Sequence, residues 1–391
     1  MVTTDSRRGR LALMVAHCAG MLDLVALPLW VGVLMGHYRF DPQQAGGLAT
    51  LFLVGAVLSS VLLAPHFGRL PRRAVAVTGF GVAALAFLGA SWRTDFTGMG
   101  VLHALAGLAT GAALSVAHGS IARAGNPHRL FAIVGVALGV FAICIYAAVP
   151  PLLAQAGGQR LFDVFAGTMA TAAVVSWLAF PQADEAATGS AHGAPAAAPA
   201  RHAPVAGVVW FGIVGLGCMG VVQAMTFAFL ERVGHERGFG LAAVTAVLVA
   251  MGLVNLFPAG FAAVLEKRWS ARSVMLAGPV LQALLVALIM TSGMFAPYAA
   301  AASVFAAVMI FTHTFAFGLL ARLEPSGRVL AATPAMMMTG AAIGPILGGT
   351  LVKAYGYGSL ALAAAAIAAL AVACFSRLPA QAAPATRSAL A

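Results

Sequence analysis

Long apolar runs alternate with short polar stretches along most of this chain. A helix needs about 20 predominantly apolar residues to cross a hydrocarbon core about 30 Å thick. Twelve runs are about this long, so the pattern predicts an all-α polytopic membrane protein with twelve transmembrane helices. The runs are 11–36, 45–65, 74–92, 99–121, 131–154, 162–181, 206–230, 240–265, 273–294, 297–321, 330–352 and 357–378.

The first run also raises the alternative of a cleavable signal peptide. It is longer than the apolar region of such a peptide, and no small-residue cleavage site followed by a soluble domain comes after it. We therefore interpret it as the first transmembrane helix. The composition agrees, because 61% hydrophobic and 8% charged residues cannot be hidden inside one soluble globule.

The basic residues indicate how the helices cross the membrane. A formal net charge of +11 would suggest a nucleic-acid partner in a soluble protein, but here Lys and Arg fall in short loops. With twelve spans, 16 of the 22 lie on the side of the N-terminus, which the positive-inside rule makes cytoplasmic. We expect both termini in the cytoplasm and a lipid bilayer, not nucleic acid, as partner. Abundant Ala and a preference for Arg over Lys suggest a bacterial genome rich in G and C. A bacterial inner membrane would then be the location.

The stretch from Pro181 to Pro204, PQADEAATGSAHGAPAAAPARHAP, has no hydrophobic periodicity and is rich in Ala and Pro. It predicts a cytoplasmic linker over 182–204 that joins two six-helix halves, 1–181 and 205–391. Its histidines, His192 and His202, are interpreted as solvated residues and not as metal ligands. The cysteines are widely spaced within apolar runs and indicate neither disulfides nor a metal site; they are Cys18, Cys144, Cys218 and Cys374.

The two halves also echo one another. The basic turn GRLPRR at 68–73 has a counterpart in EKRWSAR at 266–272, and GVALG at 135–139 is mirrored by GAAIG at 340–344. Two six-helix halves related by a repeat are typical of transporters that rock around a site near the middle of the membrane. The repeat therefore favours transport as the function.

With these features the chain resembles a major facilitator superfamily transporter over nearly its whole length. In that family the loop after the second helix reads like G-x-L-x-D-R-x-G-R-R, and the resemblance implies a gating role for the matching residues Gly68, Arg69, Arg72 and Arg73. The usual Asp is missing here, with Gly68 nearest its place. The arginines are expected to pair with helix C-terminal carbonyls or with acids elsewhere, or else serve only as topology determinants.

Two further motifs carry the resemblance. In the fourth run, HALAGLATG places His103 where the antiporter pattern R-x-x-x-G-x-x-x-G has its arginine, and a histidine can titrate near neutral pH; the alternative is a lone interfacial histidine.

In the eleventh run, GAAIGPILGG resembles an antiporter pattern usually found in the fifth helix. Its glycines allow close helix approach, and its proline removes a backbone hydrogen bond. The motif therefore predicts an element that bends or seals the transporter; the alternative is a role in packing alone. Its residues are Gly344, Pro345, Gly348 and Gly349.

Asp23 is the carboxylate that lies deep within an apolar run. Placing an acid there costs roughly 2.5–3.5 kcal/mol on insertion scales, so such residues usually face a water-filled cavity and carry protons, ions or substrate. We therefore predict that Asp23 couples proton binding to transport. The alternative is that it caps a broken helix, or bonds to neighbouring hydroxyls, without titrating.

Few other polar side chains lie within the runs, and none of them at midspan is Lys or Arg. An anionic substrate would lack its usual counter-charge, so neutral, amphipathic or cationic solutes fit better. His17 and Asp23 are six residues apart and face different sides of a helix, which makes a shared metal site unfavourable. The candidates for lining a substrate cavity are His17, Trp30, His103, Gln223, Asn255, Gln282, Thr312 and His313.

These observations predict a proton-coupled exporter of small organic solutes, working as a monomer by alternating access. The alternative is a proton symporter for uptake of a metabolite such as an organic acid. A membrane enzyme is disfavoured, since one intramembrane acid and scattered histidines do not make a converging catalytic set. No cofactor and no metal are expected.

Overall fold

The structure is a computed structural model that describes residues 2–181, 207–266, 268–324 and 328–379. The predicted linker 182–204, with His192 and His202, lies outside the described residues. The described part folds into fourteen α-helices, with a 3-10 helix at Ala64–Arg69 and no strand. The helices are α1 (Arg7–Gly20), α2 (Leu22–Gly36), α3 (Pro42–Leu63), α4 (Arg72–Ser91), α5 (Phe96–Ile121), α6 (Pro127–Ala156), α7 (Arg160–Ala179), α8 (Gly207–Glu236), α9 (Leu241–Val254), α10 (Pro258–Leu265), α11 (Ala271–Thr291), α12 (Phe295–Leu323), α13 (Arg328–Tyr355) and α14 (Gly358–Ser376).

Eleven helical segments in the described ranges are long and apolar enough to cross a membrane. Two of them are pairs of consecutive helices, 7–36 and 241–265, and α13 adds a further helix of 28 residues. The prediction of an all-α polytopic membrane protein is confirmed. Its cause is elementary: in hydrocarbon only a helix satisfies the N–H and C=O groups of a single segment.

The first predicted run, 11–36, belongs to one candidate membrane span, 7–36, whose helix is broken. It divides into α1 and α2 at Met21, whose φ of −104° and ψ of 20° are not helical. Gly20 lies immediately before the break, packed against the side chain of Leu114, and glycine weakens a helix interior. The side chain of Asp23 can compete with the helical backbone for hydrogen bonds. The break places Asp23 in the first turn of α2.

The eighth predicted helix, over 240–265, is broken as well. It ends as α9 at Val254 and resumes as α10 at Pro258. Proline has no N–H to donate to a carbonyl of the preceding turn, so the helical hydrogen-bond pattern is interrupted there. The two helices together still form one apolar segment long enough to cross the membrane, as predicted for the eighth run, and Pro258 marks in the sequence where its helix is interrupted.

The chain divides between residues 204 and 205 into two compact units, here called the N-terminal unit and the C-terminal unit. In the N-terminal unit an aromatic core surrounds Trp30, with Phe52, Phe87 and Phe165 at ring-centroid distances of 5.0–5.7 Å. In the C-terminal unit an apolar core joins α8, α11, α12 and α14. Each core fixes the helices that carry the polar side chains described below.

Glycines allow the closest helix contacts in both units. A Cβ added at Gly107 of α5 would overlap the backbone carbonyl of Phe52 on α3. One added at Gly340 of α13 would overlap the carbonyl of Gly217 on α8. Small residues at such crossings let two backbones approach, which is how helices in lipid gain packing energy.

Candidate polar sites within the membrane-spanning helices

Asp23 is the acidic group at the break in the first span. It is 7% exposed, and within the described residues its Oδ1 atom is buried without a hydrogen-bond partner. The phenol of Tyr146 on α6 donates a 2.7 Å hydrogen bond to the backbone carbonyl of Val25, two residues further along the same turn. The first turn of a helix has unpaired N–H groups and a partial positive charge, so it stabilises a carboxylate. Two effects therefore act on the Asp23 carboxylate in opposite directions: burial disfavours its charged form, and the N-terminus of α2 favours it.

Sequence reasoning missed the partner of His17. Nδ1 of His17 on α1 lies 2.9 Å from Nε2 of His118 on α5, and the ring centroids are 5.1 Å apart. One imidazole donates this hydrogen bond and the other accepts it. The two residues are 101 positions apart in the chain, so no local spacing could indicate that they meet. Their sequence signal is only that each is a histidine inside an apolar run.

The histidine pair gives a first testable expectation. Replacing either His17 or His118 by Leu leaves the other imidazole at least partly buried without its partner, whereas replacing both removes the pair together. The free energies of unfolding should therefore be non-additive, with an interaction energy of about 0.5–3 kcal/mol. Denaturant unfolding of the purified single and double variants measures this energy.

A matched cycle on one helix is the control for this expectation. His103 and His118 both lie on α5, 15 residues apart, or about 22 Å along the helix axis. The same Leu substitutions at these two positions should be additive within about 0.5 kcal/mol. Equal additivity in the cycle of His17 and His118 would contradict an energetic role for their hydrogen bond.

Two predicted cavity residues, Trp30 and His103, lie together in the aromatic core. The indole Nε1 of Trp30 donates a 3.1 Å hydrogen bond to Nε2 of His103, and Nδ1 of His103 lies 2.7 Å from the carbonyl of Met99. The imidazole therefore carries its proton on Nδ1 and donates it to that carbonyl. Trp30 is 1% exposed and His103 is 0% exposed. In this conformation neither side chain lines a solvent-accessible cavity, because both are packed inside the N-terminal unit.

Three predicted residues form a polar strip in the C-terminal unit. The amide of Gln282 on α11 donates hydrogen bonds to Oε1 of Gln223 (3.1 Å) and to the carbonyl of Met219 (3.3 Å), both on α8. Thr312 on α12 packs against Gly278, one helical turn before Gln282. All three side chains are buried, and Gln223 is the most exposed at 8%. The strip can offer amide and hydroxyl groups, but no formal charge.

The other two predicted cavity residues, Asn255 and His313, have no hydrogen bond to this strip among those the described residues show. Asn255 is the C-cap residue that follows α9, at the break before Pro258, and its Oδ1 has no hydrogen-bond partner within the described residues. His313 is half-buried on α12, and its ring centroid lies 5.0 Å from that of Phe317 with the ring planes tilted by 33°. The structure thus brings together some of the sequence candidates and leaves others separate. In the described residues it also shows no cluster of three or more metal-ligating side chains.

The basic turn lies between α3 and α4. Gly68 and Arg69 belong to the 3-10 helix, and Arg72 begins α4 with its guanidinium 4.5 Å from the ring centroid of Phe67. Arg73 donates a hydrogen bond to the carbonyl of Trp177 near the C-terminus of α7. This is one of the pairings expected from the sequence, and it ties the loop to a helix end. A gating role for these residues stays a prediction.

In the eleventh predicted helix the glycines face α8. A Cβ at Gly344 would lie 2.6 Å from the backbone N of Met225, and one at Gly348 would lie 2.9 Å from the Met225 side chain. Gly349 and Pro345 are buried in the same helix. The mirrored segment of the first half is packed differently, since Gly135 is exposed and nothing lies within 4 Å of an added Cβ there. The observed contacts fit the packing interpretation, and the bending role of Pro345 stays a prediction.

The fold is shared with known membrane transporters. The nucleoside transporter NupG aligns with a TM-score of 0.70 at 14% identity, covering 96% of this chain and all of NupG. A D-xylose-proton symporter aligns with a TM-score of 0.73 at 12% identity, covering 97% of this chain and 98% of the symporter. A bacterial homologue of the human lysosomal transporter Spinster, inward-facing and unoccupied, aligns with a TM-score of 0.66 at 12% identity and 95% coverage of both chains.

The sequence comparisons give the family. No curated protein sequence matches this chain. A sequence model of the Major Facilitator Superfamily matches residues 12–326, from the first span to three residues past the end of α12. That match covers most of the chain, agrees with the shared fold and points to a transporter and not an enzyme. The chain belongs to the Major Facilitator Superfamily.

Proposed function

We propose that the chain is a proton-coupled secondary active transporter that exports small neutral, amphipathic or cationic organic solutes in exchange for protons, by alternating access. The proposal includes a bacterial inner membrane, both termini in the cytoplasm and a monomeric protein. The observation that carries it is the carboxylate of Asp23, 7% exposed at a break in a membrane-spanning helix, with Oδ1 lacking a hydrogen-bond partner among the described residues.

Proton binding at Asp23 supplies a physical switch. The N-terminal turn of α2 stabilises the charged carboxylate, and burial destabilises it. Neither effect acts strongly on the protonated, neutral acid. A conformation that admits water to Asp23 therefore favours the charged form, and one that excludes water favours the protonated form. A ligand, here the proton, shifts a conformational equilibrium only through such a difference between two states.

The polar side chains of the described spans support the proposed substrate class. They include the buried amides of Gln223 and Gln282 and the buried hydroxyls of Thr226 and Thr312, groups that can bind an uncharged or cationic solute by hydrogen bonds. Thr226 is fully buried, and its hydroxyl has no partner within the described ranges. The Lys and Arg residues of the described helices lie towards helix ends, so a neutral or cationic solute fits better than an anion.

One specific observation favours a second direction of transport. A symporter that carries D-xylose with protons shares this fold, so proton symport is compatible with the architecture. Uptake of a metabolite such as an organic acid is therefore the second candidate function. The direction of proton movement separates the two candidates.

The test uses purified protein in liposomes that contain a pH-sensitive dye, with cationic, neutral and anionic solutes added outside in turn. Entry of a solute through an antiporter expels protons and raises the internal pH; entry through a symporter lowers it. We expect a rise in internal pH for at least one neutral, amphipathic or cationic solute, beyond that in protein-free liposomes. Acidification would favour the symporter, and solute entry with no pH change would overturn proton coupling.

A further inference from the structure

A groove of about 610 Å³ opens where α4 begins and α7 ends in the N-terminal unit. Both helices are candidate membrane spans, Arg72–Ser91 and Arg160–Ala179, so the groove lies at the end of two spans, where headgroups meet hydrocarbon. It is independent of Asp23 and of the polar strip in the C-terminal unit. Its lining residues are Leu70, Pro71, Arg72, Arg73, Ala74, Val77, Thr78 and Trp177.

The charge of the groove is of one sign. Arg72 and Arg73 are its charged lining residues, and no carboxylate belongs to the lining. Both arginines lie in the first turn of α4, whose N-cap residue, Pro71, makes no side-chain capping hydrogen bond. The N–H groups of a first helical turn attract anions. Guanidinium groups and helix end therefore favour the same kind of ligand.

The two arginines are held in place by the protein. The guanidinium of Arg72 lies over the ring of Phe67, and Arg73 is fixed by its hydrogen bond to the carbonyl of Trp177. A guanidinium has five N–H donors in a planar fork that matches phosphate oxygens. One bond to a carbonyl thus leaves Arg73 with further donors, in a side chain whose position is already restricted.

The wall formed by α7 is apolar and exposed. Trp177 is 60% exposed and the adjacent Leu178 is 62% exposed. Tryptophan is enriched at membrane interfaces because its ring is apolar and its N–H is polar. An elongated ligand with an anionic head and a hydrocarbon body would meet a complementary group at each end of this groove.

We propose that this groove binds an anionic phospholipid, with its phosphate on Arg72, Arg73 and the first turn of α4 and its acyl chains along α4 and α7. Basic pockets between transmembrane helices recognise lipid headgroups by the same chemistry. The phosphate alone would use only the charged end of the groove. The apolar wall at Trp177 therefore assigns the site to a lipid.

Native mass spectrometry of the purified full-length protein tests this proposal, with phosphatidylglycerol and zwitterionic phosphatidylcholine as competing probes. Wild type should retain phosphatidylglycerol preferentially. The double variant Arg72→Gln with Arg73→Gln should bind it at least about tenfold more weakly, since each basic residue near the membrane surface contributes to anionic lipid binding. Arg7→Gln with Arg8→Gln removes the same charge from exposed positions of α1 and is the matched control.

Three outcomes would overturn the proposal: equal binding by the Arg72 and Arg73 variant and wild type, an equal loss in the Arg7 and Arg8 control, or displacement of the lipid by inorganic phosphate alone. A further variant, Arg72→Lys with Arg73→Lys, keeps the charge and removes the planar forks. Intermediate binding by this variant, at an unchanged melting temperature, separates loss of the site from loss of the fold.

Discussion

Asp23→Asn is expected to abolish proton-driven accumulation of solute while the protein still folds and inserts. The amide has nearly the shape of the protonated acid, so packing at the break in the first span is kept, but it binds no proton. One pH unit corresponds to about 1.4 kcal/mol, or about a tenfold solute gradient for a one-to-one exchange. With no coupling, the solute should only equilibrate across the membrane.

Proteoliposomes with an imposed pH difference measure the accumulation ratio of a substrate found in the solute screen. Asp163→Asn is the matched control, because Asp163 pairs with Arg160 at the start of α7 with both side chains partly exposed. We expect this control to accumulate solute like wild type. Concentrative transport by Asp23→Asn at the wild-type level would show that the proton is carried elsewhere, with the pair His17 and His118 as the next place to test.

Gly107→Ala should destabilise the protein although alanine is a better helix former than glycine. The added methyl group would meet the carbonyl of Phe52, and a backbone carbonyl cannot rotate away as a side chain can. Overpacking of this kind costs about 1–3 kcal/mol, which exceeds the gain of about 1 kcal/mol in helix propensity. Because α3 and α5 must separate to accommodate the methyl, the melting temperature of the purified protein should fall.

Gly135→Ala is the matched substitution for this experiment. Gly135 lies within α6 with open space where its Cβ would be, so only the helix-propensity term applies and the melting temperature should stay the same or rise. If both variants melted at the same temperature, the close contact of α3 with α5 would not limit stability.

The spans were predictable because length and hydrophobicity alone decide which segments cross a membrane. The break at Pro258 was also readable, since proline acts on the backbone beside it. The sequence around Asp23 offers a broken helix only as an alternative, and the packing of Gly20 against Leu114 of α5, which is distant in sequence, cannot be read from it. Local chemistry was thus visible in the sequence, whereas contacts between helices were not.

The candidate site shows the same division. Asp23 was recognisable because an acid in an apolar run is costly wherever it lies. The partner of His17 was not recognisable, because the sequence does not distinguish His118 from the other histidines within the apolar runs. His103 was predicted from a motif position, and its burial against Trp30 depends on the aromatic side chains of other helices. The sequence therefore identified candidate residues, but not the side chains that tertiary packing brings into contact with them.

The packing of Trp30 also makes it an internal optical reporter. Its indole is enclosed by Phe52, Phe87 and Phe165 and bonded to His103, whereas the other four tryptophans, Trp92, Trp177, Trp210 and Trp269, are 52–77% exposed. A chain that keeps Trp30 as its single tryptophan would therefore emit from the interior of the N-terminal unit, shielded from brominated lipids. Rearrangement of that interior during transport would be followed by fluorescence with no added label.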